Sequence, residues 1–354
     1  LSVRPKKTIF VIKHKKKMNV TTKKILIGLA CAFLSLSTSF AQKKSSQPLQ
    51  SVREETGYEG NRIKELLTDE NAMNFLVVGD WGRNGQFKQK EVAERMGEAA
   101  HQLEAQFVIS TGDNFYLNGI ASTEDPAWQS SFEGIYTNHA LMCNWYPVLG
   151  NHDYRGNSQA QIDYSKKSRR WVFPNRYYSF ERVINYKKNE EKVLFVFIDT
   201  NPFDTKLDAE RHPDLAQQDT VAQKKWLEET LANSKAKWKI VVGHHPLYTS
   251  GKRLGKTQDI INAFDQVFQK HKVDVYFAGH EHDLQHQTPE NKVTHHFVSG
   301  AGSEVRETGK TSMTKFSASS HGFMAVSLYD NKMLVQIVDE RGNILYKTTI
   351  EKQP

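Results

Sequence analysis

Five times between residues 75 and 282, an apolar run closes on a glycine and is followed by a side chain able to bind a metal ion. The segments are Gly79-Asp80-Trp81-Gly82, Gly112-Asp113-Asn114-Phe115-Tyr116, Gly150-Asn151-His152-Asp153, Gly243-His244-His245 and Gly279-His280-Glu281-His282. Short apolar runs of this kind mark strands buried on both faces. The ligand-type residues then sit on loops at the strand ends, where open α/β sheets carry their sites. Together the loops offer carboxylates, an amide oxygen, imidazoles and a phenol. That donor set suits a pair of hard or borderline cations, and metal-assisted hydrolysis is the chemistry it points to. Taken singly, each residue says little: an Asp after a strand is usually a turn or cap residue. The recurrence of one local pattern is what carries the reading.

The first 41 residues read differently. Met18 opens a basic stretch ending in Lys23-Lys24, an apolar run covers 25–36, and Ser39-Phe40-Ala41 has small residues at its first and third positions. This is the order of a secretory leader, with cleavage expected after Ala41. The run is shorter than the roughly 20 apolar residues a membrane span needs. Gly28 and the truncated apolar run before Cys31 argue against a lipid-attachment site there. Residues 1–17 precede the first Met and read as upstream sequence or an alternative start. The leader region holds nine of the 48 Lys and Arg and no acidic residue, leaving 39 basic against 40 acidic residues beyond it. A nucleic-acid or membrane role therefore has no support from bulk charge. With Cys31 removed, Cys143 is left alone, so neither an internal disulfide nor a cysteine-based zinc site is expected.

Residues 42–71 read as a polar linker and then a short helix around Ile63, Leu66 and Leu67. Strands are expected at 75–78, 107–109, 145–149, 193–198, 239–242 and 273–277. Between them the pattern predicts helices at 88–103, 220–232 and near 257–271. Val92, Met96, Ala99, Ala100 and Leu103 share one side of the first helix. Asp219 is placed to cap the second, whose apolar face is Trp226, Leu227 and Leu231. Beyond 293, segments 293–299, 322–329, 332–338 and 343–350 alternate, with hairpin turns at Asp330-Asn331 and Arg341-Gly342-Asn343. The interleaving of motifs and strands predicts a single domain over 72–352.

These motifs resemble those of the calcineurin-like metallophosphoesterases and, within them, the small mammalian-type, tartrate-resistant branch of the purple acid phosphatases. Ser299-Gly300-Ala301-Gly302 and Gly322-Phe323 extend the likeness. The resemblance implies an α/β fold, a four-layer α/β/β/α sandwich of two mixed β-sheets flanked by helices. It implies an exported acid phosphatase that hydrolyses phosphate monoesters by attack of metal-bound hydroxide at a binuclear centre. The centre would pair Fe(III) with divalent iron, zinc or manganese. By resemblance, Asp80, Asp113, Tyr116 and His282 hold the ferric ion, and Asp113, Asn151, His244 and His280 the divalent one, with Asp113 bridging. Other metallophosphoesterases begin with Asp-x-His, whereas Asp80-Trp81-Gly82 lacks that imidazole. Tyr116 is its expected replacement, and a phenolate on ferric iron would colour the protein. His152 is expected to hydrogen-bond phosphate or protonate the leaving group, with Asp153 orienting it. The partner expected is a phosphomonoester, with no nucleic acid, no membrane anchor, a monomeric chain and a periplasmic or extracellular location.

The chain departs from the family in several places. No histidine occurs over 248–254, so Lys252 or Arg253 is a candidate for phosphate contact, with a solvated loop as the alternative. His245 either serves the substrate or fills space. Glu281 stands where an Asp is common and is expected at the pocket edge. The disulfide of the animal enzymes is missing, so their cleavable regulatory loop is not assumed. The rival readings are a phosphodiesterase or nucleotidase on the same scaffold, a phosphate- or metal-binding protein without turnover, and a redox role for the iron pair.

Overall fold

The computed structural model describes residues 62–185 and 190–352. The leader, Cys31 and the linker up to residue 61 lie outside the described residues. One sheet draws its strands from both ends of the described chain. Its order is β13 (Ile344–Glu351), β12 (Lys332–Asp339), β11 (Gly322–Leu328), β1 (Met73–Val78), β2 (Phe107–Ser110) and β3 (Asn144–Pro147). The second comes from the middle of the chain. Its order is β10 (Thr314–Ala318), β8 (Leu284–Gln287), β9 (His295–Ser299), β7 (Val275–Ala278), β6 (Trp238–Val242), β5 (Lys192–Phe197) and β4 (Tyr178–Val183). Strands β1 to β3 are parallel, as are β5, β6, β7 and β9. The outer pairings are antiparallel, so both sheets are mixed.

The helices are α1 (Gln89–Leu103), the short α2 (Ser158–Asp163), α3 (Thr220–Asn233) and α4 (Gln258–Lys270). Period-two alternation explains the layering. Along β5, Val193, Phe195 and Phe197 join the core shared with the first sheet. Leu194 and Val196 join a separate cluster with Leu227 and Leu231 of α3 and Ile260, Phe264 and Phe268 of α4. Helix α1 packs on β1 and β11. Between the sheets, Phe75 stacks on Phe107 at 4.9 Å and meets Phe195 and Phe277 edge-on at 5.6 and 6.4 Å. The result is the helix, sheet, sheet, helix order expected.

Asp219 caps α3 as read from the sequence, its Oδ1 accepting from the N–H groups of Val221 at 3.0 Å and Ala222 at 2.9 Å. Asp219→Ala is expected to cost about 1 kcal/mol, read as a lower denaturation midpoint with an unchanged slope.

The helix expected before residue 71 is absent. Residues 62–69 form a turn and an extended strap instead. The Ile63 N–H donates to Gln102 Oε1, and Leu67 exchanges both backbone bonds with the Gln336 side chain. Two glutamine amides thus supply the partners a helix would have supplied. Among the described residues, no helix is long and apolar enough to cross a membrane.

Candidate metal centre

The parallel strands of the two sheets open their carboxyl ends onto the five glycine loops. Asp80 follows β1, Asp113 and Tyr116 follow β2, and Asn151 and His152 follow β3. His244 and His245 follow β6, and His280 and His282 follow β7. The chain must turn sharply at each end. Asp80, Asp113 and His280 all have positive φ, at 58°, 49° and 68°. Three non-glycine residues in the left-handed region is costly backbone of the kind that gathers at functional sites. Gly150 and Gly279 allow the loops to close: a Cβ on either would overlap the carboxylate of Asp113 or of Asp80, respectively.

Two buried clusters result. In the first, the Tyr116 hydroxyl lies 2.8 Å from Asp113 Oδ2, 2.9 Å from Asp80 Oδ1 and 3.0 Å from His282 Nε2. In the second, His244 Nε2 lies 3.1 Å from His280 Nδ1, 3.3 Å from Asn151 Oδ1 and 3.6 Å from Asp113 Oδ1. Asp113 therefore turns one oxygen toward each cluster.

The donor set fits cations. The Tyr116 phenol has one proton but faces three groups able to accept it. Burial and the two carboxylates hold its pKa well above the usual value. Burial, with a contribution from Asp113, raises Asp80 to about 7. Burial also works against the Asp113 carboxylate, but His244, His152 and the His152 amide outweigh it and leave its pKa lowered. Burial depresses His280 strongly and takes His282 to about 3, so both imidazoles are neutral, as ligation requires. His244 donates Nδ1–H to the Thr111 carbonyl at 2.9 Å, which leaves its Nε2 lone pair facing the cluster. Lone pairs thus converge with too few protons to satisfy them, an arrangement that positive ions would resolve.

Among the described residues, the His, Asp, Glu and Cys groupings able to hold an ion are Asp80–Asp113–His282 and His244–His245–His280. His245 is less suited to ligation than its neighbours. The Thr200 hydroxyl accepts from the His244 and His245 N–H groups, so its own proton goes to His245 Nδ1 at 2.8 Å. That leaves His245 Nε2 as the N–H, 3.7 Å from Asp204. Thr200 was not singled out from the sequence. Its signal was the same one used elsewhere, the end of a buried parallel strand, here β5.

Two sequence expectations are corrected. Asp153 does not orient the His152 ring. Its fully buried carboxylate accepts N–H bonds from Gly150, Asn114 and Phe115 and from the Gln161 side chain, tying two loops together. The His152 ring instead sets Nδ1 2.6 Å from the Leu117 carbonyl and packs on Tyr116 with centroids 4.4 Å apart. Glu281 is not at the pocket edge: it is 1% exposed and holds Arg253 through backbone N and Nη1. Arg253 also donates to the His280 carbonyl at 2.9 Å, so its guanidinium braces a metal loop. Lys252 is exposed.

Trp81, next to the Gly82 that stands where the Asp-x-His pattern would place its histidine, points away from the clusters. It is fully buried, donates to Ser110 Oγ at 2.9 Å and packs among Phe115, Phe132, Tyr136, Trp145 and Trp171.

Residues 73–284 match the calcineurin-like phosphoesterase family. Purple acid phosphatase 17 of Arabidopsis thaliana is 35% identical over 308 residues, spanning 82% of this chain and 88% of the relative. Tartrate-resistant acid phosphatase type 5 of Mus musculus is 32% identical over 302 residues, spanning 80% and 91%. Among solved structures, the purple acid phosphatase PPD1 of Lupinus luteus superposes with a TM-score of 0.58 at 17% identity, covering 80% of this chain and 54% of that one. GAP50, an anchor in the inner membrane complex of Plasmodium, superposes with a TM-score of 0.71 at 24% identity, covering 80% and 90%. Those two likenesses speak for the fold, and a fold does not by itself carry an activity.

Proposed function

Because this chain belongs to the calcineurin-like phosphoesterase family, with purple acid phosphatases as its relatives, we propose that its two clusters hold Fe(III) and a divalent ion for hydrolysis of phosphate monoesters in acid. Asp80, Asp113, Tyr116 and His282 would hold the ferric ion. Asp113, Asn151, His244 and His280 would hold the divalent one, as iron, zinc or manganese. The observation that carries this reading is the shared carboxylate, with one oxygen of Asp113 in each cluster. When bound, the ions supply Lewis acidity toward phosphate and bring the pKa of water from 15.7 toward about 7.

The chain's own residues do the rest. Neutral Asn151 adds no charge at the divalent side and leaves room for an anionic substrate. His152 is half-buried, with Nδ1–H committed to the Leu117 carbonyl, so Nε2 is the nitrogen left for a phosphate or leaving-group oxygen. Thr111 and Thr200 hold the two neighbouring imidazoles in fixed tautomers. Export by the leader over residues 18–41 belongs to the same proposal and is supported by its sequence pattern.

The direct test compares an aryl phosphate monoester with the corresponding diester and with a nucleotide, at acid pH, in protein loaded with metal. Faster turnover of the monoester is expected. Faster turnover of the diester or nucleotide would overturn the substrate assignment, and binding without turnover would overturn the enzyme reading.

His152→Ala is expected to lower kcat about 10²–10⁴-fold, the range of a positioned acid–base group. Its metal content should not change, because the His152 backbone amide, which donates to Asp113 Oδ1 at 2.8 Å, survives the substitution. Metal analysis of the variant checks this. Loss of ions would assign His152 to the support of Asp113 instead.

A further inference from the structure

We propose that Arg83 is a positioning residue for Tyr116, its guanidinium held over the phenol ring to set how strongly the phenolate donates to the ion. Arg83 lies three residues past Asp80, in the loop between β1 and α1. Its Cζ stands 3.8 Å above the centroid of the Tyr116 ring and 5.1 Å from that of Phe87. Glu304 fixes it there, accepting from Nη2 at 2.5 Å. The same Glu304 oxygen lies 3.7 Å from His282 Nδ1, and His282 Nε2 lies 3.0 Å from the Tyr116 hydroxyl. Arg83, Glu304, His282 and Tyr116 therefore form a closed ring of contacts around one side of the first cluster. The backbone is held as well, with Arg83 N–H and Gly85 N–H both donating to Gln89 Oε1.

The placement has an electronic consequence. The Arg83 side chain is 9% exposed, so solvent and salt screen its charge little. A cation on a ring face attracts the π electrons below it. The attraction is greater for an anionic phenolate than for a neutral phenol. It lowers the energy of the filled ring orbitals more than it affects an ion beyond the phenol oxygen. Moving an electron from phenolate to ferric iron then needs more energy, and the visible band lies at shorter wavelength. The stack also fixes the ring plane, and with it the direction of the oxygen lone pairs. An arginine that merely filled the loop would have neither effect.

The inference rests on the iron–phenolate reading, so the experiment reads the two separately. Visible spectra are recorded for wild type, Tyr116→Phe, Arg83→Gln, Arg83→Met and Arg83→Lys, each with its iron content measured. Wild type is expected to show a band that Tyr116→Phe loses. In the neutral Arg83 variants the band should move to longer wavelength at equal iron content. Iron affinity should fall about 10–100-fold, as when the support of a metal ligand is removed. Arg83→Lys, which keeps the charge, should return the band most of the way. A band at the wild-type position in whichever neutral variant holds iron overturns the role of Arg83 while leaving the phenolate reading intact. A wild type with two metals and no band overturns both.

Discussion

Asp113→Ala is expected to leave the folded chain with neither ion. Every other ligand-type residue serves one cluster, whereas Asp113 places Oδ2 by Tyr116 and Oδ1 by His244. Removing it takes one anionic oxygen from each site and brings the neutral imidazoles of the second cluster down to a purely uncharged ligand set. Elemental analysis after desalting should find metal well below one equivalent per chain, against two in wild type. The loss of turnover should exceed the ~10²–10³-fold that follows removal of one electrostatic donor. Circular dichroism and thermal melting of the variant separate this from unfolding. A folded Asp113→Ala protein that keeps one full equivalent would mean that the clusters are independent sites, and the binuclear assignment of Asp113 would fall.

Tyr116→Phe should bleach the protein while sparing part of its activity. The substitution keeps the ring that packs on His152 and under Arg83 and deletes only the hydroxyl. Asp80, Asp113 and His282 stay in place to hold an ion. What disappears is the phenolate, the one donor in the cluster able to give ferric iron a strong visible band. Iron analysis must accompany the spectrum, so that a colourless variant with iron is told from one that has lost it. If wild type carries two divalent ions and no colour, Tyr116 is a core residue that hydrogen-bonds Asp113, and the diesterase reading gains ground.

Much of this site was legible because it follows a local rule. An apolar run of Phe75 to Val78 or of Ile240 to Val242 demands a strand, a glycine lets the chain turn, and the next residue is delivered to a common edge. Roles that depend on side-chain direction were not legible. Asp153 is adjacent to His152 in sequence, yet its carboxylate turns inward to three backbone amides while the imidazole turns outward to Leu117. Glu281 sits between two histidines of one motif, but the chain bends there, with His280 at φ 68°, and the Glu281 carboxylate turns toward Arg253. Strand β8 went unread for another reason. Leu284-Gln285-His286-Gln287 is polar and still buried, since Gln285 and Gln287 find partners in Asp283, Thr249 and Ser250. Apolar periodicity cannot see a strand satisfied by hydrogen bonds. Strands β4 and β10 are edge strands with mixed exposure, where the pattern is weak. The strap before β1 was misread because its backbone partners, Gln102 and Gln336, are far away in sequence.

The split origin of the two sheets would give bound ions a second task. Asp80, Asp113 and Asn151 come from the sheet built by the two ends of the described chain, and His244, His280 and His282 from the sheet built by its middle. An ion held by either cluster as proposed would therefore join both sheets, and it could bind only after distant segments such as β1 and β11 have paired. Metal capture would then act as an inspection step late in assembly, locking molecules whose halves are already in register. Binding to the native state alone adds RT ln(1 + [metal]/Kd) to its stability. A chelator should accordingly loosen the seam between the sheets before it disturbs either sheet.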